Sequence, residues 1–219
     1  MLQEPTETDL APTWFIECDH PEIVSYAERV TSGASTDVDR AARLFADIRD
    51  RLRYDPYQIS SDPNDYRASV ILTRDRGWCV PKALLLTAAA RAVGIPARIG
   101  FADVRNHLNS EALRAAMGTD LFVFHGYTAL HVAGTWRKVS PAFNAALCER
   151  FGVPPLTFDG TSDALLHAYD GEGRQHMEYV HDRGTYDDLP FAEMLATFEE
   201  VYGRVAATGP RPDHDPAFH

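Results

Sequence analysis

The chain has 219 residues, of which 45% are apolar and 24% charged, a globular composition that argues against disordered, collagenous and coiled-coil classes. Lys and Arg number 21 against 32 Asp and Glu, a net charge of −11 that repels phosphate backbones and anionic lipid surfaces, so neither nucleic acid nor membrane is expected as a partner. Cys18, Cys79 and Cys148 are scattered, with no CxxC pair, which excludes a disulfide framework and a zinc site and fits free thiols in a reducing compartment. The first dozen residues lack the basic and apolar regions of a signal peptide, and no stretch reaches the ~18 apolar residues of a membrane span. A cytoplasmic protein is expected, with one domain over residues 1–205 and a proline-containing disordered tail over 206–219.

In chain order, Asp19 and Pro21 cap and start a first helix with Ile23, Tyr26 and Val30 on its apolar face. Thr36 caps a second, in which Val38, Ala41, Leu44, Phe45, Ile48 and Leu52 recur at helical spacing. Residues 54–67 carry Pro56, Pro63 and several Asp and Ser, and read as a loop. From Cys79 a mostly apolar helix runs to Val93, stopped by Gly94 and Pro96. Residues 97–104 form a strand, and 110–117 a short helix ended by Gly118.

Residues 121–132 are the clearest strand, with Phe122, Phe124, Gly126, Thr128, Leu130 and Val132 on one face and Val123, His125, Tyr127, Ala129 and His131 on the other. A turn at Gly134-Thr135 leads to a returning strand over 136–139, and Pro141 opens a helix to Phe151. Residues 153–184 show little periodicity and read as irregular structure or short strands. Asp188 caps a last helix with Phe191, Met194, Leu195, Phe198, Val201 and Tyr202 in one stripe. Asp159-Gly160 and Asp187-Asp188 are turn and cap residues, not metal ligands.

Cys79 is the thiol with chemical promise. A helix start carries about half a positive charge, which favours thiolate, and its free N–H groups suit an oxyanion. The competing reading is a small buried core residue. A nucleophilic thiol needs a base, and His125 and His131, on the same strand face, have equal claims from periodicity. Lys82, three residues after Cys79, either lowers the thiol pKa or faces solvent. Residues 103–107, Asp-Val-Arg-Asn-His, place polar groups just past a predicted strand, as substrate contacts or a solvated loop.

Residues 68–98 contain Ser69-Val70-Ile71-Leu72, Gly77-Trp78-Cys79, Lys82-Ala83 and the Gly94-Ile95-Pro96-Ala97-Arg98 run; further on come His125-Gly126-Tyr127, Gly134-Thr135-Trp136 and Val139-Ser140-Pro141. Together these resemble the core of the transglutaminase-like superfamily over about residues 68–144. The resemblance implies an α+β papain-like fold, the Cys79 helix packed on an antiparallel sheet, with catalytic Cys79 and His125, in preference to His131. No cofactor is implied. The third position, usually Asp in the family, is Ser140, and the acidic residue often found four positions after the His is Ala129. A hydroxyl orients an imidazole more weakly than a carboxylate, so Asn144 and Asp103 stand as other candidates for that role. Tyr66, Arg67 and Trp78 are candidates to line the thiol. The implied activity is acyl chemistry on an amide or peptide bond, by a hydrolase, peptidase-like enzyme or acyl transferase, with a peptide, protein or small amide as substrate. The rivals are an arylamine N-acetyltransferase-like enzyme using acetyl-CoA and a catalytically degenerate binding module.

Overall fold

A computed structural model of the protein describes residues 3–107, 110–166, 172 and 177–203. The tail expected over 206–219 lies outside the described residues.

Two amphipathic helices open the fold, α1 (Pro21–Thr31) and α2 (Asp37–Arg51). Thr36 caps α2 as expected, its Oγ1 accepting from the Asp39 N–H at 3.1 Å. The cap of α1 is His20 instead of Asp19, its Nδ1 accepting from the Glu22 N–H at 3.3 Å. A two-residue strand β1 (Arg53–Tyr54) and the short helix α3 (Ala68–Leu72) come next, then β2 (Arg76–Gly77), which pairs parallel with β1. Helix α4 (Cys79–Ala92) is buried at every position but its last. It is apolar all round because it lies between α1, α2 and α3 on one side and the sheet on the other.

That sheet has four antiparallel strands in the order β5-β4-β3-β6: β3 (Ala97–Asn106), β4 (Leu121–Val132), β5 (Thr135–Val139) and β6 (Met177–Tyr186). The expected α+β class is what forms, with the helix that begins at Cys79 packed on an antiparallel sheet. Helix α5 (Glu111–Met117) joins β3 to β4 and ends at Gly118 with φ 69°. No helix among the described residues is long and apolar enough to cross a membrane.

Several boundaries differ from the sequence expectation. The Ser140 N–H is held by Ala164 O at 2.8 Å, and residues 140–144 stay outside the helix, so α6 spans Ala145–Arg150 with Asn144 extended at its N-cap and Pro141 does not start it. The last helix, α7 (Phe191–Tyr202), begins after Pro190, which disfavours a helical Leu189, and Asp188 is not its N-cap. The last eight residues of the apparently irregular 153–184 segment belong to β6, a ten-residue strand. Residues 103–106 belong to β3 and are not a loop.

The strict alternation expected in β4 is broken by a bulge. Ala102 faces His125 and Val104 faces Phe122, so β4 carries one extra residue, with Phe124 at φ 55°. Asp103 Oδ1 accepts from the Phe124 N–H at 3.1 Å and fixes the kink. As a result Val123 and Phe124 both join the main core with Leu130 and Val132, while Phe122 turns to the Tyr127 and Ala129 side.

Candidate active site

Cys79 is the first residue of α4, so its sulfur lies among the N–H groups that a helix leaves unpaired. The backbone N–H groups of Gly126, Val80 and Cys79 itself are directed to it. Gly126 reaches that position because it has no side chain. A Cβ there would lie 2.9 Å from Val80 Cα and 3.1 Å from Cys79 O. Thr128 Oγ1 donates to Ala83 O at 2.9 Å one turn further along α4, fastening strand to helix.

His125, one residue before Gly126, is buried at 3% exposure. Ser140 directly follows β5, and its Oγ lies 3.3 Å from His125 Nε2 while donating to Gly126 O at 3.2 Å. The hydroxyl has one proton, and the carbonyl can only accept, so Ser140 accepts at Nε2. This pattern assigns the ring proton to Nε2 and leaves the lone pair on Nδ1. His131 packs its ring at 61° against Trp136, centroids 5.3 Å apart, and takes no part in this contact. Among the two histidines, His125 is the one that Ser140 meets.

Burial dominates the electrostatics. It pushes the Cys79 thiol up to about 12, against smaller opposing effects of the three N–H groups and Lys82. It pushes His125 down to about 4. A lowered thiol pKa follows from the helix start alone, but half a charge is outweighed when the sulfur is 5% exposed. The resting pair is a neutral thiol and a neutral imidazole.

The remaining candidates have other partners. Lys82 is neither solvent-exposed nor directed at the sulfur. It is fully buried and its Nζ donates to Arg49 O at 2.8 Å and Leu52 O at 2.6 Å, satisfying carbonyls at the end of α2. Desolvation lowers its pKa to about 7, despite the nearby Asp50 charge. Asp103 is held by Arg183 at 2.6 and 3.0 Å, and Asn144 Oδ1 accepts from the Tyr54 N–H at 3.0 Å, so neither orients His125. Arg67 pairs with Glu17 and lies over the Trp14 ring at 5.6 Å.

Three tyrosines respond electrostatically to Cys79. Tyr54, Tyr66 and Tyr202 all have phenols raised first by burial, with the charge of Cys79 among the further causes. The sulfur is within electrostatic reach of all three. Trp78 is 5% exposed, and its Nε1 is buried without a hydrogen-bond partner. Among the described residues no group of three or more His, Cys, Asp or Glu is gathered as a metal site.

The sequence profile of the transglutaminase-like superfamily matches residues 24–141, from α1 through the residue after Ser140. The chain belongs to the transglutaminase-like superfamily. That match contains Cys79, His125 and Ser140 and leaves out α6, β6 and α7. Among solved structures, the chain is similar to one described as a "Putative Cysteine Protease" from Cytophaga hutchinsonii, at 15% identity and TM-score 0.47, over 83% of this chain and 56% of that one. It is also similar to a "Putative Protease" from Parabacteroides distasonis, at 18% identity and TM-score 0.39, over 56% and 26% respectively. The chain thus spans little more than half of the first of these proteins and a quarter of the second. No curated protein matches it.

Proposed function

We propose that the protein is a cysteine-dependent hydrolase or acyl transferase acting on an amide or peptide bond, with Cys79 as nucleophile, His125 as general base and Ser140 as the residue that positions the ring. The observation that carries this reading is the double contact of Ser140 with His125 Nε2 and Gly126 O, made where Gly126 lies on the first turn of α4. It leaves the basic lone pair on Nδ1, the nitrogen Ser140 does not use.

In the first half-reaction the Cys79 S–H proton passes to Nδ1 as sulfur attacks the carbonyl carbon, and the C=O electron pair moves to oxygen. Free N–H groups at the α4 start stabilise that oxyanion. Collapse breaks the C–N bond, and His125 returns the proton to the departing amine. The thioester is then resolved by water or by an amine, whose proton His125 takes in turn and delivers to the leaving sulfur. With no carboxylate beside it and full burial, a standing imidazolium is disfavoured, so proton transfer accompanies attack and does not precede it. The substrate class is a peptide, protein or small amide.

The same neutral, buried pair favours a second reading, a binding module that has lost catalysis. Peptide p-nitrophenyl esters separate the two. The enzyme reading expects a nitrophenol burst and an acyl mass increment on the Cys79 peptide, absent in Cys79→Ala and slowed roughly 10²-fold or more in His125→Ala. Acylation at Cys18 or Cys148 instead, or a burst that survives Cys79→Ala, rules the assignment out, and no burst at all selects the binding module. Acetyl-CoA offered as acyl donor tests the acetyltransferase alternative in the same assay.

A further inference from the structure

The mechanism requires a carbonyl carbon to reach Cys79, a residue 5% exposed, and to do so within reach of His125, which is 3% exposed. Something must move, and one element spans both sides of the site. The Phe198 ring of α7 packs on Trp78, the residue before Cys79, with centroids 5.8 Å apart, and on Phe124, the residue before His125, at 6.3 Å. One turn later the Tyr202 hydroxyl accepts from the Val123 N–H at 2.7 Å, and its phenol is within electrostatic reach of Cys79. The last two turns of α7 therefore bridge from the nucleophile's helix to the strand of the base.

Aromatic side chains attach α7 at both ends, and every turn keeps a solvent face. Phe191 in its first turn is anchored against Phe15 and Tyr66, at 5.8 and 5.3 Å. Met194 and Phe198 are its buried residues, and solvent-facing residues occur at both ends, Ala192 and Glu193 in the first turn as well as Glu199 and Glu200 near the last. The closed arrangement also leaves a defect, since the Trp78 Nε1–H is buried without an acceptor among the described residues. Lifting Phe198 would admit water or a carbonyl oxygen to that donor.

We propose that the last two turns of α7 are an intramolecular cover over Cys79, and that local opening of these turns, with the rest of the fold intact, is what admits a ligand to the thiol. The aromatic floor so exposed, Trp78 and Phe124 with Tyr54 near the sulfur, is suited to a bulky apolar group. The proposal rests on Cys79 being the reacting thiol, but its test needs no catalysis, so either reading can fail without the other.

The experiment compares two protection factors in the folded protein. The first is the slowing of iodoacetamide alkylation at Cys79 relative to the unfolded chain, with Cys18 and Cys148 as internal controls. The second is hydrogen exchange at the amides of residues 198–202 in α7 and 83–90 in α4. The expected result is that Cys79 and the late α7 amides share one protection factor, at least tenfold below that of α4. Phe198→Ala should reduce both together by tenfold or more and leave Cys18 and Cys148 unchanged. Tyr202→Phe, which removes only the acceptor for the Val123 N–H, should do the same to a smaller degree and serves if Phe198→Ala does not fold. Cys79 protection equal to that of α4 would overturn the proposal. So would α7 amides that weaken without Cys79 following, or all three cysteines speeding up together.

Discussion

Ser140 Oγ stands 3.3 Å from His125 Nε2, at the position where the superfamily resemblance leads one to expect a carboxylate. A hydroxyl orients the ring but brings no charge to stabilise imidazolium, so nothing on that side opposes the burial that lowers His125. Ser140→Asp supplies the missing charge. The ring pKa should rise by roughly 1 to 3 units, as for an opposite charge at close range. The pH at which Cys79 alkylation half-saturates should fall correspondingly. The measurement is the pH profile of iodoacetamide labelling together with the His125 ring shifts by NMR, and an unchanged profile would mean that Ser140 does not govern the ring.

Gly126 is the point where β4 meets α4. In Gly126→Ala the new methyl would stand 2.9 Å from Val80 Cα and would have to separate strand from helix. Overpacking of this kind costs ~1–3 kcal/mol, so the denaturant midpoint should fall accordingly. Acylation at Cys79 should fall further than stability alone explains, because the N–H beside the sulfur moves with the strand. A variant with the parent's midpoint and burst would show that this approach is not tight.

The His125 ring gives a pH signature of its own. Its pKa is about 4 when folded and about 6.5 when unfolded, so the unfolded chain binds the extra proton first as pH falls. Stability associated with the neutral ring is complete above about pH 6.5 and is lost as pH falls towards 4. The melting temperature of the parent should drop more steeply between pH 7 and 4.5 than that of His125→Asn, whose side chain does not titrate there. Parallel curves would refute a buried neutral ring.

Lys82 works in the other range. Its folded pKa of about 7 lies below the unfolded value near 10.5, so between these limits the unfolded chain holds more protons and stability rises with pH. Lys82→Met removes that rise and leaves Arg49 O and Leu52 O without their donor, at a cost of roughly 1–3 kcal/mol. Urea midpoints at pH 6.5 and 9.5 check both effects. A parent midpoint that is level across this interval, relative to Lys82→Met, would place the ammonium outside the core.

What the sequence made legible was what local chemistry decides. The period of α2, the Gly94 stop of α4 and the run of β4 each follow from spacing or from a single residue's backbone preference. The β1–β2 pair was not legible, since two residues carry no period and the pairing exists only through contacts such as the Arg53 N–H to Asp75 O. The β4 bulge depends on Asp103 reaching Phe124 from the neighbouring strand, a tertiary contact that β4's own alternation does not announce. Lys82 did leave a signal. A lysine in a helix apolar on all sides has no polar face to occupy, and its burial could have been inferred together with that of the helix. Of the candidate site, Cys79 followed from its place at a helix start and the His125/His131 choice from strand periodicity, while the preference for His125 and the candidacy of Ser140 came from motif resemblance. The closeness of Gly126 to α4 and the packing of Phe198 on Trp78 and Phe124 came only with three dimensions.

A buried thiol held as S–H is also a poor target for oxidants. Peroxide and disulfide exchange both act on thiolate that solvent can reach. With burial holding its pKa near 12, Cys79 presents almost no thiolate at neutral pH. The closed form therefore keeps its sulfur off the path to sulfenic and sulfinic acids, and oxidative loss of the thiol should track the fraction of time the site stands open.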